Sequence, residues 1–268
     1  MECIECLSFN EPTKEFKTHF DITKPLVSLR FFGFQGFQGS ISLDNFLHQS
    51  KNLQCLMVIC QPQKRLKITS TPFLFLWDNY KKLQILVIEG VSTLYKIMDS
   101  IGQLKFLYKM KIKNCKNLQS LPCTIGNLGI LTYFDLSGCK GLKEIPEAFG
   151  NLISLTSLDL IGCRSLKRIP EALGKLTSLT SLDLSWCWGL REIPEALGNL
   201  TRLTSLNLSM WTNLKRIRKA VGKNRVTTLE KINLCDTMEV KEVKLSMGKR
   251  LNRSWRKLMI WLQCSRSK

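Results

Sequence analysis

The chain has 268 residues, 44% of them hydrophobic and 23% charged, and Lys and Arg outnumber Asp and Glu 40 to 21 for a formal net charge of +19. This composition suits a folded chain with a core and excludes a disordered one, and no apolar run approaches the roughly 20 residues needed to span a bilayer. The eleven cysteines would suggest a disulfide framework in a short secreted chain. However, the opening MECIECLSFNEPTKEF has early acids and no long apolar core, unlike an export signal. Reduced thiols in the cytoplasm, or the nucleus, are therefore expected. The sequons at Asn199, Asn207 and Asn252 carry no weight without export.

In chain order, residues 1–25 read as an N-terminal flank that holds the lone C-x-x-C pair, Cys3 and Cys6. A zinc site wants a second such pair nearby, and none follows. Residues 26–82 read as degenerate repeats, with LVSLRFFGF from Leu26 and LQCLMVIC from Leu53 spaced about 27–30 residues apart. From Leu83 the chain becomes periodic: units start at Leu83, Leu107, Leu131, Leu155, Leu179 and Leu203, each step 24 residues, and a last one at Leu229 is two residues late. The regular repeats span 83–238.

Within a unit, leucines at positions 1, 4 and 6 (Leu155, Leu158 and Leu160) alternate as on a short strand. Cysteine holds position 9 in Cys115, Cys139, Cys163 and Cys187. A small, weakly polar, buried side chain meeting nearby backbone groups explains that ladder better than redox or metal chemistry. Positions 12 and 15 are apolar again, as in Leu142 and Ile145. Proline (Pro122, Pro146, Pro170, Pro194) predicts the first turn of a short helix. The glycine four residues later (Gly126, Gly150, Gly174, Gly198) predicts a left-handed residue that ends it. One unit cannot bury its own apolar face, so stacked units share a core. Each fully buried leucine contributes about 1.5–3 kcal/mol. Residues 239–268 form a basic tail with an apolar stripe at Leu251, Trp255, Leu258, Met259 and Leu262, read as a cap over the last repeat or a helix lying on anionic lipid.

No catalytic constellation emerges. The only histidines are His19 and His48, no nucleophile motif is present, and the Gly-Lys pairs at 174–175, 222–223 and 248–249 lack a phosphate-cradling loop. No enzyme activity, cofactor, metal or small-molecule substrate is expected. Basic residues at position 13 (Lys143, Lys167, Arg191, Lys215) and acids at position 17 (Glu147, Glu171, Glu195) read as a solvated, partly paired surface. Nucleic-acid binding is disfavoured, because no basic groove with stacking aromatics is evident.

The best site candidates are the strand positions that face away from the core. Position 3 gives Lys109, Tyr133, Ser157, Ser181 and Ser205; position 5 gives Lys111, Asp135, Asp159, Asp183 and Asn207; Trp186 follows its strand. The three aspartates stack as like charges, either as a functional stripe or as the trace of unit duplication.

The unit LTYFDLSGCKGLKEIPEAFGNLIS, Leu131 to Ser154, and its neighbours resemble the leucine-rich repeats of plant intracellular disease-resistance receptors, in the cysteine after "DLSG" and in "LKEIP" and "GNL". The resemblance is specific over 83–238 and loose over 26–82. It implies an α/β leucine-rich-repeat solenoid, with a curved parallel sheet on its concave face and short helical turns and loops on its convex face. It also implies a protein ligand: a pathogen effector, a guarded host protein, or the receptor's own domains if this chain is a fragment. The nucleotide-binding module of such receptors is not seen here. Extracellular repeats of plant receptor kinases usually have asparagine at the place of Cys139 and "LTGxIP" at the place of "LKEIP". A stand-alone intracellular adaptor stays open as the alternative.

Overall fold

The computed structural model describes residues 6–10, 31–35, 51–60, 80–192, 194–210 and 231–233, with the first two and the last of these segments given by backbone alone. Ten parallel strands form one open sheet in chain order. They are β1 (Cys6–Asn10), β2 (Phe31–Gln35), β3 (Cys55–Ile59), β4 (Ile85–Glu89), β5 (Lys109–Lys113), β6 (Tyr133–Asp135), β7 (Ser157–Asp159), β8 (Ser181–Asp183), β9 (Ser205–Asn207) and β10 (Lys231–Asn233). Behind the sheet, 3₁₀ turns at Asp99–Gln103, Cys123–Asn127, Glu147–Asn151, Glu171–Lys175 and Glu195–Asn199 stack on one another. This is the α/β solenoid that the period predicts.

The core is the repeated apolar set. Leu155, Leu158, Leu160, Cys163, Leu166, Leu173 and Leu176 of one unit are all essentially inaccessible, and their counterparts in neighbouring units continue the same cluster. Phe149 stacks on Phe134 across the core, ring centroids 5.5 Å apart. At the start of each strand a threonine hydroxyl donates to the carbonyl one unit back: Thr132 to Tyr108, Thr156 to Thr132, Thr180 to Thr156, Thr204 to Thr180, at 2.9–3.2 Å.

Three expectations change. First, the sheet reaches into the stretch read as flank, because β1 lies there and pairs with β2. Phe31 pairs with Cys55, a 24-residue step, so β2 follows the regular period rather than the longer step counted from Leu26. The longest step between described strands is from Cys55 to Ile85, 30 residues. The run LVSLRFFGF offers apolar residues at several offsets, and pairing with β3 selects the register.

Second, proline stands one residue ahead of the last four 3₁₀ turns in extended conformation, and its carbonyl accepts the first turn N–H (Leu173 to Pro170, 3.1 Å); Met98 holds that place ahead of Asp99–Gln103. Third, the turn glycines are not left-handed; the glycines at positive φ are Gly90, Gly138 and Gly162. Gly150 is required for close approach instead: a Cβ there would lie 2.6 Å from the Ala172 carbonyl oxygen of the next unit. The glutamates at position 17 also act between units. The Glu147 carboxylate accepts the Ala172 N–H at 3.2 Å, and Glu171 accepts that of Ala196 at 3.3 Å. They cap the next turn, which a reading of them as a merely solvated column misses.

The ends of the strands follow one rule. Where position 5 is Asp or Asn (Asp135, Asp159, Asp183, Asn207, Asn233) the strand has three residues; where it is Ser8, Gly33, Met57, Val87 or Lys111 it has five. The side chain makes the difference. Asp135, Asp159, Asp183 and Asn207 each accept the N–H two residues on, at 2.9–3.1 Å. That N–H is lost to the ladder, and the carbonyl it would have met one unit back takes a cysteine thiol. Cys139, Cys163 and Cys187 donate to Ile112, Leu136 and Leu160 at 3.0–3.3 Å. In the uncapped unit, whose strand runs on to Lys113, the Cys115 sulfur is 4.0 Å from the Ile88 oxygen. Burial pushes the Cys139 and Cys187 thiols up to about 12, so they stay protonated donors and weak nucleophiles.

Replacing Cys163 with Ala leaves the Leu136 carbonyl without its donor, an expected loss of about 1–3 kcal/mol. Cys163→Arg should lose more, beyond about 4 kcal/mol, by burying an unpaired charge. Combining Cys163→Ala with Asp159→Ala frees the Ile161 N–H to meet Leu136, so the double loss should fall about 1 kcal/mol short of the sum. Urea melts of the set check this. Strict additivity would mean that thiol and carboxylate do not compete through that carbonyl.

Candidate functional site

The open face of the sheet carries the candidate residues, and the structure places them in one register. Position 3 aligns Lys109, Tyr133, Ser157, Ser181 and Ser205 on successive strands; position 5 aligns Lys111, Asp135, Asp159, Asp183 and Asn207. All of these except Asp135 are half-exposed. Asp135 is 2% exposed, and one of its oxygens accepts the Ser137 N–H at 2.9 Å. Its other oxygen meets the Tyr133 hydroxyl at 3.5 Å and the Lys113 ammonium at 3.9 Å. The structure thus removes Asp135 from the exposed row, and it is Lys113, not Lys111, that relieves its charge.

Lys113 is the residue that the strand pattern fails to flag. It shares the face with Lys109 and Lys111 only because β5 has no acidic cap and runs two residues further. Lys109 and Lys111 point their ammonium groups at the Tyr133 ring, 5.6 and 5.4 Å from its centroid, within cation–π range. Burial first, then Asp135 and Asp159, push the Tyr133 phenol up, so it remains a neutral donor.

Asp159 and Asp183 differ in how far they are satisfied. Asp183 uses one oxygen for the Ser185 N–H and hydroxyl, at 2.9 and 2.7 Å, and the other for the Asn207 amide at 2.8 Å. Asp159 accepts the Ile161 N–H at 3.0 Å through one oxygen. Partial burial raises the Asp159 carboxyl to about 6, the Ile161 N–H opposes this, and Asp135 and Asp183 add to it.

At the far rim of the face, position 8 takes a left-handed backbone in every described regular unit: Gly90, Asn114, Gly138, Gly162, Trp186 and Met210, φ between 53° and 73°. Each of the first five donates its N–H to the next unit (Trp186 to Ser209, 3.1 Å), which holds the conformation. Trp186 therefore stands, 39% exposed, on a strained backbone. Its ring lies 5.8 Å from that of Trp188, and the Arg164 guanidinium sits 4.3 Å from the Trp188 centroid. The signal for Trp188 and Arg164 was the run WCW around the core Cys187. On the opposite rim Phe106, Ile130 and Ile153 are exposed, in the loops ahead of β5, β6 and β7.

Among the described residues no cluster of His, Cys, Asp and Glu is arranged to hold a metal, and no helix is long and apolar enough to cross a membrane. His19, His48, Cys3, Lys215 and the tail 239–268 lie outside the described residues, as does the side chain of Cys6.

A family model described as a leucine-rich repeat region matches residues 68–267. The chain belongs to the leucine-rich-repeat family. Domains of this family are typically protein-interaction modules and generally non-enzymatic. No curated protein matches the sequence of this leucine-rich-repeat chain. Among solved structures, the leucine-rich-repeat domain of the type III effector XopL is 24% identical, with TM-score 0.47, over 69% of this chain and 54% of its own. A leucine-rich-repeat protein of Leptospira interrogans is 23% identical, TM-score 0.40, over 84% and 64%. The ectodomain of the Arabidopsis receptor kinase HAESA, solved with an N-terminally extended IDA peptide hormone, is 22% identical, TM-score 0.47, over 79% and 31%. The chain thus spans less than two thirds of each of these structures, and the family assignment rests on the family model.

Two substitutions probe the face. Burial raises the folded Asp159 carboxyl to about 6 from its ordinary 3.8, so between these two values the folded state holds a proton that the unfolded state has lost. Its stabilising protonation is complete below the unfolded value and disappears as pH rises through about 6. Asp159→Asn keeps the acceptor for Ile161 and removes the charge. It should raise stability at neutral pH by about 1 kcal/mol, a figure discounted for a carboxyl still partly in solvent. The gain should vanish toward pH 4; a gain that does not change with pH in urea melts would contradict this. Trp186→Gly should be more stable than Trp186→Ala by about 1 kcal/mol, because only glycine is at ease at that φ. Equal thermal midpoints would remove the strain.

Proposed function

We propose that the chain is a non-enzymatic protein-binding module of plant defence signalling, working in the cytoplasm, whose open sheet face receives the ligand. The observation that carries the reading is the half-exposed register of Lys109, Lys111, Tyr133, Asp159, Asp183 and Trp186 on a rigid ladder of strands. The opposite side is given over to turns that cap and pack one another. A scaffold that satisfies its own polar groups unit by unit leaves face residues free to vary, which suits recognition. The "DLSGC", "LKEIP" and "GNL" elements support the disease-resistance setting, with an effector, a guarded host protein or neighbouring receptor domains as ligand. Free, buried thiols at Cys115, Cys139, Cys163 and Cys187 favour a reducing compartment.

A photo-crosslinking side chain placed at Ser181 on the face, or at Lys175 on the turn side, separates the alternatives in a plant-cell extract. Crosslinks to discrete proteins are expected from Ser181 and not from Lys175, and Trp186→Ala should reduce them at least tenfold, in line with an aromatic anchor. Equal crosslinking from both sides, or from Lys175 alone, rejects the face as the site.

A further inference from the structure

The open face is divided by charge along the axis of the solenoid. Its β5 rung presents Lys109, Lys111 and Lys113, and its β7 and β8 rungs present Asp159 and Asp183. No ion pair joins the two poles among the described residues, and Lys113 only favours the charge on Asp159 from a distance. The β6 rung between them keeps them apart: the Tyr133 ring engages the ammonium groups of Lys109 and Lys111, and buried Asp135 takes Lys113. The face also changes height. Position 3 is long at Lys109 and Tyr133 and then small at Ser157, Ser181 and Ser205, so the acidic rungs lie in a step below the Tyr133 wall, with Trp186 at the rim. Within the step, Asp183 has both oxygens occupied, whereas Asp159 has one oxygen without a hydrogen bond among the described residues.

We propose that this face takes an extended segment of a partner protein laid across the strands, with an acidic side chain over Lys109 and Lys111 and a basic side chain in the step over Asp159 and Asp183. The inference rests on the protein-binding reading and specifies its ligand. Strands lie about 4.8 Å apart, so from β5 to β7 or β8 is roughly 10–14 Å. An extended chain advances about 3.3 Å per residue and turns alternate side chains to one face. The acidic and basic residues of the ligand are therefore four apart: two apart falls short, six apart overshoots, and odd spacings point one side chain away. Charge complementarity of this kind selects partner and register more than it adds affinity.

Selecting a random nine-residue peptide library on the full chain tests this directly. The expected result is enrichment of one acidic and one basic residue at a spacing of four, in either chain direction. Lys111→Glu and Asp159→Asn should each weaken the enriched peptide at least tenfold. Selection on Lys111→Glu should return peptides with basic residues at both places. Enrichment without the spacing, or insensitivity to both variants, overturns the proposal. So does displacement of the enriched peptide by a synthetic peptide of residues 239–268 with equal or greater affinity, which would make the chain's own tail the occupant. Self-association of the full chain that Asp159→Asn abolishes would make a second copy the occupant, and also overturns it. If Ser181 crosslinks to proteins while selection shows no charge pattern, this inference falls and the protein-binding reading stands. If neither succeeds, both fall.

Discussion

At the end of β7 the Ile161 N–H donates to its own Asp159 carboxylate instead of crossing to Leu136, and the Leu136 carbonyl takes the Cys163 thiol in its place. The same exchange links Asp135 with Cys139 and Asp183 with Cys187. A parallel ladder left alone would go on, as it does at β5. The cap ends pairing two residues earlier, ahead of the left-handed residue at which every described regular unit bends. The side chain that stops the strand leaves one carbonyl orphaned in a dry core, and an unmet buried carbonyl costs about 1–3 kcal/mol. Cysteine suits the vacancy because its thiol is small, donates, and resists ionisation once buried. The next residue at positive φ, Gly138 or Gly162, then turns the chain while its N–H still reaches the neighbouring unit.

Most of the other side-chain hydrogen bonds of the regular units run from one unit to the next. Threonine hydroxyls tie the strand starts, glutamates cap the following turn, and glycine lets one turn close on another. Stability in such an array is a sum of neighbour terms, so damage to one rung weakens the rungs beside it first. It also fixes which face residues are available. A position-5 acid has a structural duty through one oxygen, and at Asp159 the other oxygen is left for recognition, together with the residues at position 3.

The architecture was legible in the sequence because its cause is periodic. A leucine at positions 1, 4 and 6 has to alternate on a strand, and a period of 24 residues has to stack. What the pattern misjudged were features decided between units. Gly150 looks like a turn-ending residue along the chain, but Ala172 of the next unit requires it. Leu26 fits the leucine pattern, but pairing with Cys55 starts β2 at Phe31. In sequence the aspartate row is open to two readings, a functional stripe or a duplication trace, yet each member caps its own strand, and Asp135 is buried while doing so. Lys113 escaped notice because the length of β5 depends on a side chain that is absent from position 5. The repeat sets the register of the open face; the ordering of its charges depends on the cation–π pairs and the Lys113 contact, which no pattern within one unit contains.

The units from Leu155 and Leu179 are close copies, LTSLDLIGCRSLKRIPEALGKLTS and LTSLDLSWCWGLREIPEALGNLTR, and their differences fall outside the buried ladder positions. Gly162 becomes Trp186 at a position whose φ favours glycine, and Arg164 becomes Trp188 beside it. The core leucines, the capping aspartate, the cysteine and the proline are unchanged. Replacing a glycine at positive φ by tryptophan loses about 1–2 kcal/mol of backbone ease, and the ring remains 39% exposed, so core packing does not recover it all. Packing on Trp188, whose ring also meets Arg164, holds the pair in a defined pose. Strain kept at an exposed aromatic rim, next to an acidic step on an otherwise basic chain, is what distinguishes this rung from its copy, and it is where the face departs furthest from what folding alone requires.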